Sequence, residues 1–498
     1  MPQSPDPLAW YCTNTDRPVF ALKNLPEEVV AVLFAYYSRS REDLRTNLRR
    51  LLDDQELDGI ALLSLDAPAL ATAREKARSF HEKWVVGYGH ASVAEHAVVH
   101  LAVEGASIVA AKALEECRLA AYTEKSTRYV RFDRDTLVTD VGLPEDLAPR
   151  YETSARALLG VYTELTDVAE ARLLVRHPVP TGANPKAHQA ALRAHALDLL
   201  RGLLPAGVPT NLGITINGRA LEHHLGKLLG HPLAEVRRLG EALRDEATTV
   251  IPTLLKYTSP VPHRDGAEAR VRHAHGALHP IITQDEEDPR VVTVVDTPDA
   301  PLRTLAAAIQ VELYGTPWTS ACQAAHDTTH ALEVVRAYLS DRGPHVAPLR
   351  ALEFLHFTFE VECDYGAWRD LQRHRLVSAS TPRLGAQNGY RLSPELDELG
   401  LGGDVRRALD EAGVVARELA RSHPWEAQYA VPLAYRVRYV LRANLRELFH
   451  LIELRSARQG HEAYRRIAQD LADGVLAVCP WLDPFLRVDR EQYPFARH

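Results

Sequence analysis

Asn217-Gly218-Arg219-Ala220-Leu221-Glu222-His223 and Asn444-Leu445-Arg446-Glu447-Leu448-Phe449-His450 share one pattern: an asparagine with Arg at +2, Leu at +4 and His at +6. A proline precedes each asparagine at the same distance, Pro205 in one case and Pro432 in the other. Two matched blocks in the same order point to an internal duplication. A period of roughly 200 residues or more means duplicated domains, because solenoid repeats are far shorter.

Upstream of the second block lies Leu371-Gln372-Arg373-His374-Arg375, at the end of an expected helix that follows a strand-like run from Phe354 to Glu360. Three adjacent side chains with fixed or potential positive charge repel one another. They sit together at low cost where phosphates or carboxylates offset them. A solvated basic helix end, favoured by the helix dipole, is the plainer alternative.

The chain has 498 residues, 46% of them hydrophobic, enough for two or three domains with sizeable cores. A formal net charge of -8 argues against a general nucleic-acid binder but allows a local basic pocket for a nucleotide. Five scattered cysteines, Cys12, Cys117, Cys322, Cys363 and Cys479, form no CxxC pair, so neither a disulfide framework nor a zinc knuckle is indicated. No apolar stretch reaches the ~20 residues of a membrane helix, and the N-terminus lacks a signal core. The expected setting is the reducing cytoplasm.

In chain order, Pro26-Glu27-Glu28 starts a helix through Val29, Val32, Leu33 and Tyr36. Helical patterns follow at Leu44 to Leu52 and Ala69 to Trp84, and Gly87 to His90 reads as a turn. Val98 to Val103 suits a strand, and the pattern is helical from Ala106 to Arg118. A loop carrying Tyr122, Glu124, Ser126, Arg128 and Tyr129 comes next, and 147–256 reads as mainly helical. The stretch from Val261 to Arg290 has linker composition. Its His263, His273, His275 and His279 lack a carboxylate or thiolate spaced to complete a metal site, so no metal is expected. A second unit opens with a strand, Val291 to Val295, and a helix, Leu302 to Tyr314. The expected division is 1–258, a linker at 259–290, and 291–498.

These residues resemble the flavin-dependent thymidylate synthases, whose signature is Arg-His-Arg, seven residues, then Ser. The first half has Gly89-His90-Ala91-Ser92-Val93-Ala94-Glu95-His96, similar to the family's GHxSxxEH element. It then has Glu116-Cys117-Arg118, seven residues, and Ser126. The second half has Arg373-His374-Arg375, seven residues, and Arg383. Each half thus keeps half of the signature. The resemblance implies an α+β, helix-rich protein of two tandem copies of that fold, an antiparallel sheet with packed helices.

The losses are complementary. The first half keeps Glu124, Ser126, Arg128 and, before Leu203-Leu204-Pro205, Arg201; the second has Gln428 in place of Arg201 and no serine. The second half keeps Arg373, His374, Arg375 and Arg455; the first has Glu116, Cys117 and Leu228 there. One composite site can be assembled from the two sets. The resemblance implies conversion of dUMP and methylenetetrahydrofolate to dTMP, with FAD reduced by NADPH. It implies that Arg128, Arg201 and Arg455 hold the nucleotide, their planar forks suiting phosphate. It further implies that Arg373, His374 and Arg375, with Asn444, Arg446 and His450, hold the flavin, Arg373 also reaching the nucleotide. His90, Ser92 and Glu95 belong near flavin or folate. Catalytic roles fall to Ser126, Glu124 and Arg455, with Ser126 positioning the nucleotide by hydrogen bonds since no base is paired with it.

Two departures stand out: Thr123 where the family has Asn, and Asp370 where it has Gln, an acid expected to repel a phosphate or a uracil carbonyl. As the family forms tetramers, a fused pair should dimerise into a pseudo-tetramer. The competing readings are a catalytically degenerate flavin- or nucleotide-binding protein of the same fold, and an interaction protein without ligand. The retained arginines, which need an anionic partner, argue against the last.

Overall fold

Alternation decides the two strands nearest the repeated asparagines. In Pro209–Asn217 the side chains of Thr210, Leu212, Ile214 and Ile216 are buried while Asn211 and Gly213 face out; in Arg436–Asn444, Val437, Tyr439, Leu441 and Ala443 are buried while Arg438, Val440 and Arg442 face out. Period-two patterning of this kind builds a half-buried strand. The computed structural model describes residues 8–37, 42–53, 91–261, 264–275 and 291–493.

The strands are β1 (Val98–Ser107), β2 (Ala120–Glu124), β3 (Pro209–Asn217), β4 (Val292–Asp296), β5 (His356–Asp364), β6 (Ser378–Ser380) and β7 (Arg436–Asn444). One sheet has the order β1-β3-β2 and the other β4-β5-β7-β6, so β5-β7-β6 repeats the order of the first. β2 pairs antiparallel with β3 from Ala120↔Ile216 to Glu124↔Leu212, and β5 with β7 from His356↔Asn444 to Asp364↔Arg436. Helices and the loops between them make up the rest of the described residues, and the architecture is α+β with two copies of one fold.

The repeat extends to atoms. Asn217 ends β3 and caps the helix Gly218–Leu229 by accepting from Ala220 N at 2.9 Å; Asn444 ends β7 and caps Leu445–Ser456 by accepting from Glu447 N at 2.9 Å. Such a cap stabilises a helix by ~1 kcal/mol. The arginine at +2 repeats its pairing too: Arg219 meets Glu95 at 2.6 Å and Arg446 meets Glu353 at 2.9 Å. Glu353 is therefore the second-half equivalent of Glu95.

By contacts the chain forms two units, and they do not follow the chain halves. One comprises the described residues of 1–106, 110–125 and 210–279; the other comprises 107–109, 126–209 and the described residues of 280–498. In the first, Leu8, Tyr11 and Cys12 pack with Val29 and Leu33 of the helix Glu27–Tyr37 and with Leu44 and Leu48 of Leu44–Asp53 in one apolar cluster. In the second, the two proline segments meet. Pro205 and Pro432 bridge, Ala206 N donates to Val431 O and Leu433 N to Leu204 O, both at 2.9 Å, and Gly207 N to Tyr429 O and Ala434 N to Gly202 O at 2.9 and 3.0 Å. Exchanging the two segments maps this set of bonds onto itself, as a local two-fold requires. A Cβ on Gly207 would fall 2.0 Å from the Tyr151 hydroxyl and 3.1 Å from Tyr429 O, so glycine is what lets this seam close.

Several expected boundaries shift. The strand expected at Phe354 to Glu360 runs from His356 to Asp364, because Phe354 belongs to a 3-10 turn, Arg350–Phe354. The helix after it ends at Gln372, not Arg375, so Arg373, His374 and Arg375 lie beyond its last turn. β3 interrupts the region read as helical, β2 replaces part of the expected loop, and a helix, Arg264–His275, lies inside the 259–290 stretch read as linker. Alanines between arginines and acids favour that helix despite its mostly polar surface. The expected helix at 69–84 and turn at 87–90 lie outside the described residues.

Candidate functional site

The second unit brings arginines from both halves of the sequence together. Ser126 closes the turn that presents the first of them, its hydroxyl accepting the Arg128 N–H at 3.2 Å. The Arg128 guanidinium donates two hydrogen bonds to Asp198, at 2.8 and 3.0 Å, and a third to the Tyr464 hydroxyl at 3.0 Å. Asp198 lies on the helix Pro185–Leu200 and Tyr464 on Glu462–Val478. Burial opposes the charge on Arg128, but the Asp198 carboxylate outweighs it and the net displacement of its pKa is upward.

Arg201 follows the same helix into a 3-10 turn, Arg201–Leu203, and is 4% exposed. Its Nη1 stands 3.7 Å from Asp370, on Tyr365–Gln372. Its Nη2 is buried without a hydrogen-bond partner among the described residues. An orphaned charged donor in a buried setting costs free energy unless a ligand completes it. Gly366 makes room for this arginine: a Cβ there would sit 3.3 Å from Arg201 Cζ and Nε. Asp370 is half-buried, which opposes its ionisation, yet Arg201, Arg455, Arg373 and Arg128 together hold its carboxyl below the usual range.

Arg455, in the last turn of Leu445–Ser456, donates from Nε to His374 Nε2 at 2.9 Å, and His374 Nδ1 lies 3.0 Å from Glu447. Tyr464 is shared: its ring centroid is 5.4 Å from the Arg455 guanidinium and 5.8 Å from that of Arg128. Burial, the nearby Arg201 and Arg128, and only partial relief from Asp198 push the His461 imidazole down to about 3. Four guanidiniums, of Arg128, Arg201, Arg373 and Arg455, stand with four carboxyl groups, of Asp198, Asp364, Asp370 and Glu447, and burial favours the neutral form of Asp364, raising its pKa despite the nearby Arg201. The cluster can take up an anion.

The other expected residues are placed as follows. Arg373, Arg375 and His450 are exposed, and the His450 ring lies 5.3 Å from that of His374. Arg446 donates to Pro348 O at 2.8 Å and to Glu353. Ser92 and Glu95 are exposed on a 3-10 turn of the other unit, Ala91–Glu95, and Glu124 ends β2 in that unit. His90 lies outside the described residues. The described residues hold no group of three His, Cys, Asp or Glu side chains arranged for a metal ion. Among them no helix is long and apolar enough to cross a membrane.

A family model described as thymidylate synthase complementing protein matches residues 29–253 and again 293–481. The chain belongs to this family. A UPF0159 protein of Chlamydia muridarum is 34% identical over 504 residues, covering 96% of this chain and 93% of its own length. A UPF0159 protein of Thermoplasma acidophilum is 28% identical over 85% of this chain and 91% of its own length. A flavin-dependent thymidylate synthase of Mycobacterium sp. (strain KMS) is 29% identical over 204 residues, 40% of this chain and 75% of that protein. A relative that aligns with two-fifths of the chain fits a doubled thymidylate synthase complementing protein.

Within this doubled family member the arginine cluster has a filled counterpart. Gln428, at the position of Arg201, is also 4% exposed, but its Oε1 accepts from Leu384 N and its Nε2 donates to Trp425 O, each at 3.0 Å. Arg383 packs 5.0 Å over the Trp425 ring. The Gln428 amide is satisfied by the protein itself, where Arg201 is not. Asp198, Glu447, His461 and Tyr464 escaped the sequence reading. Asp198 carried a usable signal, since it lies one helical turn before Arg201, but an acid beside a helix end reads as an ordinary surface residue.

Proposed function

We propose that the chain is a flavin-dependent thymidylate synthase converting dUMP and methylenetetrahydrofolate to dTMP, with FAD reduced by NADPH, at one composite site between the repeats. The observation that carries this reading is the buried Nη2 of Arg201, without a partner among the described residues, in a cluster drawn from both halves. A phosphomonoester is the ligand that Arg201, Arg128 and Arg455 suit, since guanidinium forks bind phosphate oxygens in pairs. Ser126 acts through its turn: by fixing the Arg128 backbone it orients the nucleotide. Glu124, four residues before Arg128, is the acid proposed to act on the pyrimidine.

The exposed Arg373, Arg375 and His450, together with Asn444, are proposed to hold FAD, the arginines supplying donors suited to a flavin diphosphate. Bound FAD would supply the hydride, taken from NADPH, that reduces the transferred one-carbon unit to a methyl group. His90, Ser92 and Glu95 are proposed to lie toward flavin or folate. The repeats are proposed to span 1–258 and 291–498, in a cytoplasmic homodimer equivalent to the family tetramer, which sedimentation would test.

One observation favours a second reading, a nucleotide- or flavin-binding protein without turnover: Asp370 places an acid where the ligand's anionic groups would come. The deciding experiment supplies purified protein with FAD, NADPH, methylenetetrahydrofolate and dUMP under low oxygen. Formation of dTMP is expected; bound flavin and dUMP without dTMP would favour the second reading.

A further inference from the structure

The proposed nucleotide arginine Arg455 is held by a buried relay whose members all belong to the second half. Asn444 caps the helix Leu445–Ser456 through Glu447 N, Glu447 meets His374 Nδ1 at 3.0 Å, and His374 Nε2 accepts from Arg455 Nε at 2.9 Å. The side chains of His374 and Glu447 are 2% and 6% exposed. An arginine Nε–H can only donate, so the His374 Nε2 it approaches must present a lone pair. The ring is then neutral, with its proton on Nδ1 and directed at the Glu447 carboxylate. Both nitrogens of His374 are occupied inside the protein.

The first half supports reading these residues as one device. Asn217 caps its helix as Asn444 does, yet Ala220, Cys117 and Leu228 stand at the places of Glu447, His374 and Arg455. A histidine kept for packing alone would have no reason to vanish together with a carboxylate and an arginine. The half that lacks Arg455 lacks both side chains, the histidine and the glutamate, that orient it.

We propose that His374 is a positioning residue, a neutral imidazole aligned by Glu447 that fixes the Arg455 guanidinium for a phosphomonoester, so that anion binding depends on this ring being uncharged. The proposal rests on the nucleotide reading of the cluster given above. Charges acting on the ring come from Glu447, Arg455 and His450 of the helix Leu445–Ser456, and it sits between Arg373 and Arg375 on its own segment. Burial and Arg455 hold its pKa below the ordinary 6.5, against the pull of Glu447, which keeps the ring neutral at physiological pH. On protonation Nε2 loses its lone pair, and a cation faces the Arg455 cation. Arg455 is then released from its orientation.

The test is dUMP binding by the full chain, followed calorimetrically from pH 7.5 to 5.5, for wild type, His374→Ala and His374→Gln, with circular dichroism confirming folding. A glutamine amide can accept from Arg455 and donate to Glu447, but it does not titrate. His374→Ala is expected to weaken dUMP binding by about tenfold at pH 7.5, the scale of losing one charge-linked hydrogen bond. His374→Gln should bind more tightly than His374→Ala and lose affinity on acidification less steeply than wild type. Protonation of the dUMP phosphate, with a second pKa about 6, is common to all three proteins and cancels in that comparison. Equal affinity in wild type and His374→Ala, or an unchanged acid loss in His374→Gln, would overturn the relay alone. No dUMP binding by wild type at any pH would overturn the nucleotide reading, and the relay with it.

Discussion

Replacing Arg201 by glutamine, the residue found at its second-half position, separates ligand binding from folding at the centre of the cluster. The change removes the buried Nη2 donor and deprives Asp370 of a cation 3.7 Å away. A hydrogen bond to a charged group contributes about 1.5–3 kcal/mol, so dUMP affinity should fall by roughly 10- to 150-fold. The stability cost follows from Asp370, whose side chain is 19% exposed and so little screened. Losing one partner of an isolated buried pair costs about 3–5 kcal/mol. Here the pair is long and Arg455, Arg373 and Arg128 still act on the carboxylate, so about 1–2 kcal/mol is expected. A double-mutant cycle separates the effects: Arg201→Gln with Asp370→Gln should recover most of the urea stability but not the dUMP affinity. Calorimetric titration with dUMP and urea unfolding of the four proteins supply the numbers. If Arg201→Gln binds dUMP within twofold of wild type, the claim that its orphaned donor serves a phosphate is wrong.

Removing the acid alone, Asp370→Gln, should tighten dUMP binding severalfold by taking a negative charge out of the cluster, and weaker binding in the same titration would show that Asp370 holds the ligand. Tyr464→Phe removes the hydroxyl that accepts from Arg128 but keeps the ring beside both arginines, so affinity should drop only about three- to tenfold, whereas Tyr464→Leu should cost more; equal losses would exclude the ring contribution. His224 is buried, donates to Leu114 O at 3.0 Å and has its pKa pushed down from 6.5 to about 4 by burial. Its folded pKa lies below its unfolded one, so its contribution to stability is complete above about 6.5 and is lost as pH falls toward 4, at up to about 1.4 kcal/mol per pH unit. His224→Gln, which keeps a donor for Leu114 O, should flatten the urea midpoint between pH 6.5 and 4.5, and an unchanged slope would contradict the assignment.

How much of this was legible in the sequence varies by element. The duplication was fully legible from the matched blocks and their equal spacing, and Asn217 and Asn444 are kept in both copies in the role of helix caps, which few residue types fill. The helix Glu27–Tyr37 was legible from the acids in its first turn, and Pro301–Tyr314 from the Asp296-Thr297-Pro298-Asp299 start signal that precedes it. β3 and β7 show plain alternation, yet β3 was absorbed into a helical reading because long helices precede and follow it. β2 and β6 have five and three residues, too short for periodicity to register.

The site divides similarly. The Arg373-His374-Arg375 cluster stood out in the sequence by its charge, whereas Arg128, Arg201 and Arg455 entered the site only through the resemblance to the family. Asp198, Tyr464 and Glu447 were not legible, since each meets a side chain distant in sequence, Arg128 for the first two and His374 for the third, and only the folded chain shows which one. Asp370 was read as a repellent acid; the structure adds that it is also a counter-ion, held ionised by guanidiniums from both halves.

The account stands on one composite nucleotide site per chain, completed by the first half's Arg128 and Arg201 and the second half's Arg373 and Arg455. Equilibrium dialysis of the purified chain against dUMP measures this directly. Saturation at one nucleotide per chain is the predicted result. Two nucleotides per chain would mean that each repeat carries its own site, and no saturable binding would mean that the arginine cluster serves no nucleotide.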